Sequence, residues 1–163
     1  MQEDMVDVNV ITYVCTLKAC VIIRDIIKGL EIQCEITKKG FEKESLVGTT
    51  IVDMLAKCNF LEDARIVFDE LGIKDVVSAT TLLSGYVDHG FHAEAVVFFE
   101  EFRKLGIVSN VITYACVLKA CSGCKAICKG MEIHVEIMKK GLDNEVCVGN
   151  ILIDMYARNS LLE

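Results

Sequence analysis

The hydrophobic and polar positions of residues 76–110 follow the period of two amphipathic helices. The first half, "VVSATTLLSGYVDHG", carries apolar residues close to an i, i+3, i+4 spacing: Val77, Leu82, Leu83 and Tyr86. The second half, "FHAEAVVFFEEFRKLG", carries one apolar stripe: Ala95, Phe98, Phe99 and Phe102. Gly90 and Gly106 close the two halves, as glycine commonly does at the end of a helix. The pattern predicts a pair of helices whose phenylalanines pack in a core.

The same pattern recurs along the chain as an internal repeat. Residues 10–62 align with residues 111–163 without a gap, and 27 of the 53 aligned pairs are identical. The phrase "VITYVCTLKAC" near the start, for example, returns as "VITYACVLKAC". Because repeat proteins typically use periods of about 20–50 residues, a period this long indicates several smaller units.

Glycines that follow amphipathic stretches divide the chain into these smaller units. Four complete units and one truncated unit result: 10–44, 45–75, 76–110, 111–145 and 146–163. Residues 1–9 fit the tail of a preceding unit, because Asn9 aligns with Asn110. One helix pair of this size cannot bury its apolar faces, whereas a stack of pairs can. The sequence therefore predicts an all-α fold, a right-handed α-solenoid of helix-turn-helix repeats.

Composition and charge narrow the class of protein. Hydrophobic residues make up 53% of the 163 residues and charged residues 25%, which is typical of a globular chain. The longest uncharged run, 105–118, is too short to span a bilayer, and the acidic start "MQEDMVDVNV" does not look like a targeting peptide. The net charge of −7 argues against a nucleic-acid partner, because phosphate binding favours a positive field. Nine cysteines without a secretory signal indicate free thiols.

Several stretches resemble pentatricopeptide repeats: "VVSATTLLSGY", "VGTTIVDMLAKC", "LEDARIVFDELGIKD" and "VITYACVLKAC…KGMEIHVEIMKKG". The unit lengths resemble the plant subclass that alternates standard, long and short repeats. In that scheme 10–44 and 111–145 are long repeats, 45–75 is short, 76–110 is standard and 146–163 is a truncated short repeat. The resemblance implies single-stranded RNA binding in mitochondria or chloroplasts, in RNA editing or processing, with editing or processing proteins as further partners. It implies no cofactor and no membrane.

In this family the fifth and last residues of each repeat specify the base. In the short repeat these are Thr49 and Asp75, and a carboxylate that accepts both guanine donors implies G. In the standard repeat they are Thr80 and Asn110, and an amide that both donates and accepts implies A.

The other repeats carry less information about the base. The long repeats pair an apolar fifth residue with a glutamate: Val14 with Glu44, and Ala115 with Glu145. An apolar fifth residue cannot hydrogen-bond a base, so we expect little discrimination there. Asn150 is the fifth residue of the truncated repeat and implies a pyrimidine, and Asn9 is the last residue of the preceding unit.

The family also assigns residues that contact the bases from the side and residues that contact the phosphates. The second residues of the repeats sandwich the bases: Ile11, Leu46, Val77, Ile112 and Cys147. Without the family, the same residues are equally well explained as packing at the start of a helix. Lys57 and Arg158 stand where the family meets the phosphates, although either could be an ordinary solvated charge. Asp88 stands at that place in the standard repeat, so we expect weak RNA binding.

Two short motifs suggest metal or catalytic chemistry. "CSGCKAIC" contains a Cys-x-x-Cys, which is typical of zinc or redox sites. However, Cys124 and Cys128 align with Ile23 and Ile27 of the other long repeat, so these cysteines are interpreted as small apolar residues. "HAE" matches half of a zinc deaminase signature, without the Pro-Cys-x-x-Cys that completes it. No nucleophile–base pair or phosphate-cradling loop appears, so neither an enzyme nor a metal site is predicted.

Two functions from different classes remain open. Sequence-specific RNA binding is favoured by the pairs Thr49/Asp75 and Thr80/Asn110. A protein–protein interaction scaffold without RNA binding is favoured by the acidic net charge.

The sequence ends in the middle of a repeat, as a slice of a longer protein would. We therefore expect the apolar face of helix 147–157 to be partly open and to promote self-association. The residues expected on that open face are Ile151, Leu152 and Met155.

Overall fold

The computed structural model describes residues 9–160, without the side chains of Lys43 and Ser160. All regular structure in these residues is helical, so the predicted all-α class is confirmed. The chain divides into two compact units, and the boundary lies between Ile73 and Lys74. No helix among residues 9–160 has the length and apolar character needed to cross a bilayer.

The first unit contains two helix pairs. Its helices are α1 (Val10–Ile23), α2 (Ile26–Lys39), α3 (Ser45–Lys57) and α4 (Leu61–Glu70), and a short 3₁₀ turn covers Phe41–Lys43. Helix α1 packs against α2, and α3 packs against α4. The two pairs are joined mainly through α1 and α3, the first helix of each pair.

The second unit contains two helix pairs and a ninth helix. Its helices are α5 (Val76–Asp88), α6 (His92–Lys104), α7 (Val111–Gly123), α8 (Ile127–Lys139) and α9 (Val146–Ser160). Helices α5, α7 and α9 pack in succession, while α6 and α8 each contact the helix that follows. In both units the first helix of each pair begins at the first residue of a predicted repeat, at 10, 45, 76, 111 and 146.

Left-handed residues make the turns between the helices. Gly40, Gly106 and Gly141 follow the second helices of three pairs and have φ values of 75°, 76° and 67°. This conformation costs little only for glycine, which has no Cβ, and this explains why a glycine follows the helix at these three places. Within the pairs, however, Arg24 and Lys125 make the turn with φ values of 56° and 57°.

The phenylalanine stripe of α6 forms the core of the second unit. Phe98, Phe99 and Phe102 are almost fully buried, as predicted, and the Phe99 ring lies 5.4 Å from the Phe102 ring and 6.5 Å from the Tyr114 ring. The sequence pattern predicts Val77 on the apolar face of α5, and this prediction is wrong because the side chain is exposed. It lies in the first turn of α5, where Ser78 and Ala79 are the buried residues.

The prediction of an open apolar face on α9 is wrong for Leu152 and Met155. Leu152 and Met155 are buried, because α7 and α8 cover this face of the helix. The thioether of Met155 fills the space above Gly130, where a Cβ would overlap the sulfur. The large apolar residues that are exposed on α9 are Val146 and Ile153. The open face therefore no longer supports self-association, which stays a prediction.

Candidate functional site

The last residue of a predicted repeat is the N-cap of the next repeat's first helix. Asp75 caps α5: its Oδ1 accepts from the Ser78 backbone N–H at 2.8 Å and from the Ser78 hydroxyl at 2.9 Å. The Ser78 hydroxyl in turn lies 3.2 Å from the Asp75 backbone nitrogen, which completes a capping box. The carboxylate predicted to bind guanine therefore uses Oδ1 to cap the helix, and its Oδ2 stays available.

Asn110 caps α7 in the same way. Its Oδ1 accepts from the Thr113 backbone N–H and from the Thr113 hydroxyl, both at 2.9 Å. Asn9 repeats the arrangement at α1, with distances of 3.0 and 3.1 Å to the Thr12 backbone nitrogen and hydroxyl. Each cap fixes the side chain of a predicted base-specifying residue at the start of a helix.

Thr80 and Asn110, the predicted pair of the standard repeat, meet through Thr113. The Thr80 Oγ1 lies 2.8 Å from the Thr113 Oγ1 in a buried hydrogen bond that joins α5 to α7. Thr113 is fully buried and Thr80 nearly so, while Asn110 is exposed. The structure therefore brings the two predicted residues together, but presents mainly the asparagine to solvent.

The remaining predicted base-specifying positions differ in exposure. Thr49 is half-buried on α3, and Asn150 is exposed on α9. In the long repeats Val14 is buried and Ala115 is half-buried. Glu44 occupies the N-cap of α3 without a side-chain capping bond. The last residue of that long repeat is thus held less firmly than Asp75 or Asn110.

The second residues of the repeats form a set of exposed apolar side chains. The exposed fractions are 67% for Ile11, 56% for Leu46, 58% for Val77 and 63% for Ile112, and Cys147 is also exposed. These residues lie in the first turns of α1, α3, α5, α7 and α9. Packing at the start of the helix therefore does not account for them, because such packing would bury the side chains.

The two predicted phosphate contacts are exposed but already paired. The Lys57 Nζ lies 2.8 Å from the Asp53 carboxylate, and the Arg158 Nε lies 2.8 Å from the Asp154 carboxylate. Both are i, i+4 pairs on a helix surface, which contribute little to stability and separate easily. A phosphate at either place would compete with an aspartate four residues earlier.

The residues that hold the caps were missed at the sequence level. Ser78 and Thr113 are the third residues of their repeats, and both are fully buried polar side chains. The signal was present in part, because a polar side chain three positions after Asp75 or Asn110 stands at N3, the position from which a capping box reaches back to the N-cap N–H.

The cysteines of "CSGCKAIC" are free thiols in different environments. Cys121 is buried, and burial raises the pKa of its thiol to about 12. Cys124 is half-buried and Cys128 is exposed. Across the part of the chain that the structure describes, no group of three or more His, Cys, Asp or Glu side chains could hold a metal ion.

Part of this chain matches the model of a known protein family. Residues 74–123 match the model of the PPR repeat family, the pentatricopeptide repeats. The match begins at the boundary of the second unit and covers α5, α6 and α7.

Two Arabidopsis thaliana proteins extend the likeness over most of the chain. A mitochondrial pentatricopeptide repeat-containing protein is 34% identical over 151 residues, which are 93% of this chain and 24% of the relative. A chloroplastic one is 38% identical over 150 residues, 91% of this chain and 17% of the relative. The chain thus spans about a quarter or less of the length of these curated relatives.

A solved structure matches the fold. The crystal structure of the pentatricopeptide repeat protein PPR10 from maize superposes with a TM-score of 0.77 and 20% identity, over 93% of this chain and 22% of PPR10. PPR10 in complex with an 18-nucleotide psaJ RNA element gives a TM-score of 0.76 at 21% identity, over 92% of this chain and 23% of that one. This chain therefore has the helical-repeat fold of PPR10.

Proposed function

We propose that this chain is an array of pentatricopeptide repeats that binds single-stranded RNA, with one repeat for one base. The observation that carries the proposal is a recurring pair at the start of the first helices. An exposed apolar side chain stands two residues after a polar side chain that is held as an N-cap, as in Asn110 with Ile112 and Asp75 with Val77. The apolar side chain offers a surface for the face of a base, and the polar side chain offers hydrogen bonds for its edge.

The polar groups left free by the caps suggest which base each repeat prefers. Asp75 has its Oδ2 available, and a carboxylate oxygen accepts from the N1–H and N2–H of guanine. Asn110 has its Nδ2 available, which donates to the acceptor N1 of adenine. Read 5′ to 3′ along the chain, as in the family, residues 45–110 should prefer 5′-GA-3′.

The charge distribution limits the affinity that we expect. The net charge is −7, and Lys57 and Arg158 are each paired with an aspartate. Because phosphate contacts by Lys and Arg supply much of nucleic-acid affinity, this chain should bind weakly and with a modest salt dependence.

The relatives and the unit lengths support a narrower assignment. Two of the relatives are named mitochondrial and chloroplastic. On that basis we place the protein in a plant organelle, in RNA editing or processing together with protein factors of those pathways. The alternation of 35- and 31-residue units supports the subclass with standard, long and short repeats.

The substitution Asn110→Asp tests the proposal directly. An aspartate can keep the cap of α7 through one oxygen, as Asp75 does at α5, while its second oxygen replaces a donor with an acceptor. The preferred dinucleotide should change from GA to GG, by roughly 5- to 150-fold, because a good polar base contact is worth about 1–3 kcal/mol. Filter binding with short single-stranded RNAs that differ only at this nucleotide measures the change.

Glu44→Gln is the matched control. It exchanges acid and amide at the last residue of a long repeat, where the side chain is exposed and makes no capping bond. It should leave the base preference unchanged. If Asn110→Asp weakens binding to every RNA equally, residue 110 does not read a base and the proposal fails for this repeat.

A protein-interaction scaffold is the second candidate, and the acidic net charge favours it. Such a scaffold would bind a basic peptide or helix through the same exposed apolar residues, and phosphates would be repelled. A gel-shift titration with mixed-sequence single-stranded RNA at low salt distinguishes the two. Absence of any shift at high micromolar protein would support the scaffold against the RNA-binding proposal.

A further inference from the structure

The hydrogen bonds around Thr113 determine which atoms of Asn110, Thr113 and Thr80 donate and which accept. The Asn110 Oδ1 accepts from the Thr113 N–H and from the Thr113 Oγ1–H, which uses both of its lone pairs. The Thr113 hydroxyl proton is therefore committed to Asn110. The Thr113 Oγ1 must then accept from the other hydroxyl, so Thr80 is the donor in the 2.8 Å bond between them.

These hydrogen bonds fix the orientation of the Asn110 amide. A backbone N–H can only donate, so the atom facing the Thr113 N–H at 2.9 Å must be the amide oxygen. The Nδ2 group then points away from the cap, and it has no hydrogen-bond partner among residues 9–160. Since Asn110 is exposed, what it offers to a ligand is a pair of donors and no acceptor.

We propose that Thr113 is a positioning residue for base recognition: it fixes Asn110 as a donor and Thr80 as an acceptor. This inference rests on the proposed RNA binding and deepens it, by placing a specificity-determining residue in the repeat that follows the one that reads the base. The Thr113 side chain itself is fully buried and cannot touch a base.

Because the Asn110 amide can only donate to a ligand, the explanation that the sequence gives for an adenine preference has to change. That reason required the amide to donate to N1 and accept from N6, but its oxygen is already saturated by Thr113. A donor-only amide accommodates the acceptor N1 of adenine and opposes the N1–H of guanine, so it discriminates between purines of the same size. If the Thr80 hydroxyl donates its hydrogen bond to Thr113, its remaining lone pair can only accept, which suits the N6 amino group of adenine.

The test is the ratio of affinities for adenine and guanine at the nucleotide that faces residues 76–110. Thr113→Val keeps the branched shape but removes the hydroxyl. One lone pair of the Asn110 Oδ1 is then free to accept from guanine N1–H. The adenine-over-guanine ratio should fall by roughly 2- to 10-fold, the value of one hydrogen bond. Most of the change should be a gain in binding to guanine.

Three variants serve as controls. Thr113→Ser retains the hydroxyl and should restore the wild-type ratio. Thr12→Val removes the equivalent hydroxyl beside Asn9, where Thr12 is exposed and the structure describes no preceding repeat. This variant should leave the adenine-over-guanine ratio unchanged. Thr113→Ala, measured in the same way, replaces Thr113→Val if circular dichroism shows that the valine variant has lost helix.

The outcomes separate this inference from the proposed function. A wild-type chain with no purine preference at this nucleotide would overturn both. A wild-type preference for adenine that survives complete removal of the hydroxyl would overturn only the role of Thr113. Equal weakening of binding to both RNAs would also overturn that role, because it would mean that Thr113 serves only to stabilise the fold.

Discussion

Tyr13 and Tyr114 occupy the same position in the two long repeats, 10–44 and 111–145, and both rings are buried. The Tyr114 hydroxyl donates to the Glu136 carboxylate at 2.6 Å, whereas the Tyr13 hydroxyl is buried without a partner in the described residues. The residue equivalent to Glu136 is Glu35, so the sequence supplies the same acceptor in both repeats. The difference must come from the surroundings.

A neighbouring helix makes this difference. The Arg103 guanidinium of α6 lies 3.1 Å from Glu136 and also contacts Glu100 at 3.2 Å and Glu132 at 3.6 Å. It thereby holds the Glu136 carboxylate between α6 and α8, within reach of Tyr114. The described residues contain no helix pair before α1 that could do the same for Glu35.

The lysines at the start of α2 and α8 repeat the contrast. Among the described residues Lys28 pairs with Glu31 of its own helix alone, and its side chain is 58% exposed. Lys129 contacts Glu132 at 2.9 Å and Glu100 of α6 at 2.7 Å, and it is 21% exposed. Like sequences thus form a solvated pair in one repeat and part of a network between helices in the other.

The network also changes the acidity of its carboxyl groups. Burial raises the pKa of Glu100, but the hydrogen bond and the charge of Lys129 outweigh burial and lower the pKa below its ordinary value. At Glu136 burial likewise opposes ionisation, and the bond from Tyr114 with the charge of Arg103 lowers the pKa overall. In these repeats the neighbour rather than the repeat itself determines how the charges behave.

The largest expected effect comes from removing the aromatic contact between the neighbour and the second long repeat. Phe99→Ala should cost about 3–5 kcal/mol in the free energy of unfolding, because Phe99 is fully buried against Tyr114. Hydrogen exchange should show that α7 and α8 lose protection. Phe68→Ala, at the same repeat position in the first unit, should cost as much but spare α7 and α8. Equal loss of protection in α7 from both variants would contradict this.

The tyrosines allow the sharpest matched comparison. Tyr114→Phe removes a hydrogen bond to a charged acceptor and should cost about 1.5–3 kcal/mol. Tyr13→Phe removes a buried hydroxyl without a partner and should be neutral or slightly stabilising. Urea unfolding of both variants measures the difference. A Tyr13→Phe variant that is destabilised as much as Tyr114→Phe would show that the two hydroxyls have similar partners.

The lysines should show the smallest effect. Lys129→Met should cost about 1 kcal/mol, because Lys129 is partly buried and serves Glu100 and Glu132, while Lys28→Met should cost nothing measurable. The pKa of Glu100 is lowered from 4.5, so its contribution is present above about that pH and is lost as the pH falls through the lowered value. The difference between the variants, followed by thermal unfolding, should therefore disappear in strong acid. If it persisted there, the loss would be one of packing rather than of charge.

The repeat pattern was readable from the sequence because it depends on local rules. Amphipathic spacing, the glycines after the helices and the apolar stripe of α6 each reflect the conformational preference of a few neighbouring residues. The exposure of Val77 and the burial of Met155 were not readable in this way. An apolar side chain on a helix faces the core or the solvent according to which helices pack beside it, and its own helix does not specify them.

In the candidate site, too, some features follow from local sequence and others from the packing of helices. The sequence by itself determined the residue types at each repeat position, including the Asn110 to Thr113 spacing that forms a capping box, because a cap forms within one turn of chain. Only the tertiary structure decided that Thr80, 33 residues before Thr113, forms a buried hydrogen bond with it and so joins the second residue of the predicted pair to the cap. Asn9 and Thr12 carry the same local motif, yet Thr12 is exposed and has no such neighbour among the described residues. A hydrogen bond between helices depends on how those helices pack, which no single repeat encodes.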